Sequence, residues 1–133
     1  MIKWSSIAAI VLCIVHMFVL GADLPAELPR WLSLNLWTFD HWQGLRAQPL
    51  DLALSNGVFW ATVGSFAIPL LILCSLTLWL DRRDLPIPAF VGWGLFVWML
   101  LVTLIMPPSG FPVGALVTLL LAIGIQKRAG QRS

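Results

Sequence analysis

Across four apolar runs, at positions 2–20, 58–80, 89–106 and 111–125, the sequence has no Asp, Glu or Arg, and only one Lys (Lys3) and one His (His16). Charge is scarce overall: 11% of the 133 residues are charged and 59% are hydrophobic, whereas a soluble domain carries roughly a quarter charged residues. Length leaves no room for an additional soluble domain. A net charge of +2 spread over dispersed cations excludes a nucleic-acid footprint. The only cysteines, Cys13 and Cys74, lie inside apolar runs, and the segment from Gly21 to Gly57 has none, so no disulfide framework is encoded. At the depths expected for the two residues, about five residues or roughly 7 Å apart, a bridge between them is disfavoured.

Chemical motifs are also missing. No nucleophile elbow, phosphate loop or paired buried carboxylate occurs, which removes the usual hydrolase, nucleotide and glycosidase readings. Asp40 and His41 are loop neighbours without a metal-ligand spacing, so no metal site is expected. Small proton-coupled exporters generally rely on an intramembrane carboxylate, and this chain has none.

What remains is a pattern of hydrocarbon-seeking segments. Lipid offers backbone N–H and C=O groups no partner, and a helix satisfies them internally. The expected fold is therefore all-α: one membrane domain over residues 1–133, a four-helix transmembrane bundle with a partly ordered extracytoplasmic segment, 21–57, between the first two spans. The 23-residue second run extends about 34 Å, enough for a hydrocarbon core of roughly 30 Å. The fourth run reaches only about 22 Å unless flanking residues enter the membrane. Leu20, two residues before Ala22, makes a poor signal-cleavage site; cleavage, which would leave three spans, is the lesser reading.

Lys3, Arg82, Arg83, Lys127, Arg128 and Arg132 fall on one side of a four-pass layout, against Arg30 and Arg46 on the other, which also carries Asp23, Glu27, Asp40 and Asp51. The positive-inside rule then puts both termini in the cytoplasm and the chain in a bacterial inner membrane. Trp4, Trp79 and Trp93 fall towards the inner interface and Trp60 towards the outer, where amphipathic rings sit best. Trp98, mid-run, needs an acceptor for its indole N–H or a watered position.

Small residues mark packing faces, because lipid-embedded helices associate by close approach. Gly110, Gly114, Thr118 and Ala122 recur every four residues, and Gly57, Ala61 and Ser65 form a shorter stripe. Intramolecular packing is favoured over a dimer face. Pro69 inside the second run denies a donor to the Ser65 carbonyl, so a kink is expected there. In the outer segment, Leu32, Leu34 and Leu36 alternate with polar residues as an extended piece would, and Leu50, Ala53 and Leu54 suit a short helical turn after Pro49.

His16 is the sharpest candidate, since an intramembrane ionisable group is costly and turns toward partners or water. Ser6, Ala9, Cys13 and His16 share one helix face, and His16 is level with Thr62. A neutral His16 bonded to a hydroxyl or carbonyl is the leading reading. The functional alternative is a lipophilic-ligand site in which His16 and Thr62 face a mouth lined by Trp60, Trp37 and Trp42. The turn of Asp81, Arg82, Arg83 and Asp84 is explained by topology, with an anionic-lipid or partner contact as the alternative.

Trp4, His16, Phe59, Trp60 and Gly64, then Pro86, Pro88 and Gly92, then Pro107, Ser109, Gly110 and Phe111, in that order, resemble an uncharacterised bacterial family of small four-helix membrane proteins, itself similar to the DoxX group. The resemblance covers nearly the whole chain. It implies a four-helix membrane fold and, through DoxX members associated with quinone-linked sulfur oxidation, quinone as a possible ligand. The leading expectation is a membrane protein that is non-catalytic or an accessory subunit, with lipid, a membrane-protein partner or a second copy as its contacts. A quinone binder and a small transporter are the alternatives.

Overall fold

Backbone polarity and proline placement explain where each helix starts and stops in the computed structural model, which describes residues 1–131. The order is α1 (Ile2–Leu20), α2 (Leu24–Leu32), short 3-10 turns at Phe39–Trp42 and Leu45–Ala47, α3 (Leu50–Ala61), α4 (Ala67–Arg82), α5 (Ala89–Ile105) and α6 (Phe111–Gly130). The fold is all-α, with no strand among the described residues. Two helices, α1 and α6, are long and apolar enough to cross a membrane, and α5 is a shorter apolar helix.

The chain forms two compact units. The first comprises residues 1–14 and 69–133, the second residues 15–68. In the first unit, α5 and α6 pack along their small residues. A Cβ on Gly92 would lie 2.6 Å from the Ala122 Cα, and one on Gly114 2.9 Å from the Met99 sulfur. Gly114, Thr118 and Ala122 are buried, whereas Gly110 is exposed and caps the start of α6. At the other end of α6, Gly124 receives the Ile2 side chain of α1. The Thr77 hydroxyl donates to the Cys74 carbonyl at 2.8 Å, so its 3.0 Å contact with Ser6 must be donated by Ser6. Both cysteines of this unit are buried free thiols.

Three expectations from the sequence need correction. Helix α6 does not stop at 125 but continues through Gln126, Lys127 and Arg128, giving 20 residues and about 30 Å. The second apolar run is not one kinked helix. Helix α3 begins at Leu50 and ends at Ala61, residues 62–66 are non-helical, and α4 starts at Ala67. Pro69 is then the third residue of a new helix, where a missing N–H falls among donors that have no intrahelical partner anyway. The chain breaks ahead of the proline, so no bent turn has to accommodate the ring.

Leu32, Leu34 and Leu36 are not extended either. Leu34 adopts φ 66°, in the left-handed region, with its N–H on the Trp31 carbonyl and the Asn35 N–H on the Arg30 carbonyl. These two bonds close α2 with a Schellman cap in which leucine takes the position usually given to glycine, at a cost of about 1–2 kcal/mol. The end of α4 repeats the device with Asp84 at φ 55°, the Asp84 N–H on Asp81 and the Leu85 N–H on Leu80. Asp tolerates that conformation better than Leu.

Candidate functional site

In the second unit, the polar groups gather where α3 stops. A helix end leaves its last carbonyls without intrahelical donors. Here those of Val58, Phe59 and Ala61 find partners. The Thr62 hydroxyl donates to the Val58 carbonyl at 2.6 Å, and the Phe59 carbonyl accepts from the Thr62 and Gly64 N–H groups at 3.2 and 2.8 Å. The Thr62 carbonyl accepts from the Ser65 N–H at 3.0 Å, and the Ser65 hydroxyl oxygen accepts from the Ala67 N–H as α4 begins. The Ala61 carbonyl lies 3.1 Å from His16 Nε2 of α1.

That last contact assigns the imidazole. A carbonyl only accepts, so Nε2 carries the proton and donates. His16 is half-buried, beside Met17, whose sulfur receives the Ser65 hydroxyl at 3.9 Å. Gly64 is required by close approach: a Cβ there would lie 2.5 Å from the Phe59 ring. That ring has little freedom to retreat, being held edge-on between Trp31 and Trp60 at 5.7 and 5.3 Å.

Of the residues the sequence nominates, the structure brings His16 to Ala61, between Trp60 and Thr62 in sequence. Thr62 is buried, with its hydroxyl turned to its own helix. Trp60 is 63% exposed. Trp37 and Trp42 are about four-fifths exposed; Trp42 stacks on His41, and neither makes a described contact with His16. Among the described contacts, none joins His16 to Trp60, Trp37 or Trp42. In the second small-residue stripe, Gly57 is exposed with open space where a Cβ would go, and Ala61 and Ser65 serve the helix break through the bonds just described.

A second polar group was not legible beforehand. Trp31 Nε1 donates to the Ser55 hydroxyl at 2.9 Å, Ser55 donates to Glu27 Oε2 at 2.7 Å, and Arg30 donates to Glu27 Oε1 at 2.9 Å. Ser55 is fully buried. Glu27, Arg30 and Trp31 share a face of α2 at spacings of three and four, a signal visible in the sequence, but their partner on α3 was not. Both carboxylate oxygens and the Ser55 proton are committed, so the group clasps α2 to α3. Among the described residues, no three His, Cys, Asp or Glu side chains gather as metal ligands would.

In the first unit, the cations gather at one end. Lys3 lies over Trp4 and Arg83 over Trp79, each 5.3 Å from the ring centroid. Trp93 Nε1 donates to Gln126 at 3.2 Å, next to Lys127. Arg128 bridges Asp81 and Asp84, and also reaches the Asp81 carbonyl at 3.3 Å. The start of α1, the end of α4, the start of α5 and the end of α6 therefore bring cations and tryptophans together. Arg132, the remaining cation of the count, lies outside the described residues.

No family model, curated protein or solved structure matches the chain.

Proposed function

We propose that this chain is a four-span membrane protein with both termini in the cytoplasm, acting as a non-catalytic, accessory component of a bacterial inner membrane. The four spans would be α1, the end of α3 with α4, α5 and α6. The observation that carries this reading is the spending of polar groups within the apolar segments. Ser6 is used on Thr77, Thr77 on Cys74, Thr118 on Gly114, and His16 on the Ala61 carbonyl. Each closes a local backbone or packing requirement, which is what lipid demands of an irregular helix.

The cation-rich end of the first unit supports the orientation. Five described cations, Lys3, Arg82, Arg83, Lys127 and Arg128, sit there with three tryptophans, as expected at an anionic inner leaflet. The exposed Trp37, Phe39 and Trp42 suit a membrane interface as well. A reporter fused after Ser133, a position outside the described residues, is expected to be active only in the cytoplasm. Periplasmic activity would overturn the layout.

A further inference from the structure

Along one flank of α5 runs an open groove of about 460 Å³, lined by Phe90, Trp93, Gly94, Val97, Trp98 and Leu101. Its shape follows from two parallel rows at helical spacing, Phe90–Gly94–Trp98 and Trp93–Val97–Leu101, with glycine as the notch between two bulky rings. No atom lies within 4 Å of where a Gly94 Cβ would be. This separates Gly94 from Gly92, which is closed by Ala122. Helix packing within the first unit accounts for Gly92 and leaves the Gly94 notch unexplained.

We propose that this groove binds an anionic phospholipid, with one acyl chain lying along α5 and the phosphate at the cation-rich end. The inference rests on the membrane reading and adds a ligand to it. Phe90 to Leu101 covers about 16 Å at helical rise, roughly half the hydrocarbon core and hence the depth of one leaflet. The charge at its mouth selects the headgroup. Trp93, which lines the groove, is tied to Gln126, and Lys127 follows as an exposed cation. Arg82 and Arg83, also exposed, lie in the turn that leads into α5. Arg128 is consumed by Asp81 and Asp84, whereas Lys127, Arg82 and Arg83 have no carboxylate partner among the described residues. A phosphate supplies the missing anion. A second copy seated in parallel on the same groove would instead bring like-charged ends together, which is unfavourable.

The test is native mass spectrometry of the full chain, purified in mild detergent and titrated with dioleoyl phosphatidylglycerol or dioleoyl phosphatidylcholine. Wild type is expected to retain the glycerol lipid preferentially. Lys127→Gln is expected to weaken that lipid about fivefold, the equivalent of one surface cation, with the choline lipid unchanged. Gly94→Leu, whose Cβ has open space around it, is expected to fill the notch and lose both. Val97→Trp fills the same channel from an exposed position and guards against a folding defect in the first variant. Equal retention of the two lipids by wild type, or retention unaffected by either filling variant, would overturn the proposal. A change of oligomeric state in Gly94→Leu with lipid retention intact would overturn it in favour of a seam between copies. Failure of the membrane reading looks different: the chain would stay dispersed without detergent.

Discussion

His16 shows how a single costly side chain becomes intelligible once its partner is seen. Its value lies in reach from one helix to the carbonyl that another helix leaves exposed when it stops. His16→Phe fills similar space and removes the donor, so it is expected to lower stability by about 1–2 kcal/mol in a detergent unfolding titration. His16→Gln, whose Nε2 can stand at the same place, should recover part of that loss. A fully stable His16→Phe chain would show that the Ala61 carbonyl has no need of the contact. The sequence singled out the residue and offered a hydroxyl or a carbonyl as its partner. It did not supply the acceptor's identity, because the Ala61 carbonyl becomes available only where the backbone leaves the helix, and hydropathy carries no signal for that event.

Among the elements, α5 and α6 show which glycines are spent on helix packing. Gly92 and Gly94 are two residues apart and face different surroundings, Ala122 in one case and open space in the other. Gly92→Val is therefore expected to force α5 from α6 and cost about 1–3 kcal/mol, lowering the thermal midpoint in detergent. A wild-type midpoint in that variant would contradict the close approach. The starts of α1, α5 and α6 were readable because the apolar runs begin there, behind Pro86 and Pro88 in the case of α5. The end of α6 was not, because Gln126, Lys127 and Arg128 look like a terminus in composition while their backbone remains helical. The α3–α4 break was hidden for the opposite reason: residues 62–66 carry no charge and no proline to mark a terminus, and Pro69 pointed to one kinked helix rather than to two. Leu34 misled similarly, since alternation of side chains says nothing about a left-handed cap.

For the whole molecule, hydrophobic runs and cation asymmetry support the proposed membrane environment, and the local hydrogen bonds are what that proposal requires of an interrupted helix. The all-α fold and the two long apolar helices follow from the same patterning. The proposed orientation rests on Lys3, Arg82, Arg83, Lys127 and Arg128, set against Arg30 and Arg46. It is tested most directly by cysteine accessibility in intact cells, for which the buried native thiols Cys13 and Cys74 form a silent background. With a membrane-impermeant maleimide, Arg46→Cys is expected to label from outside and Arg82→Cys only after the membrane is opened; labelling of both from the same side would contradict the account.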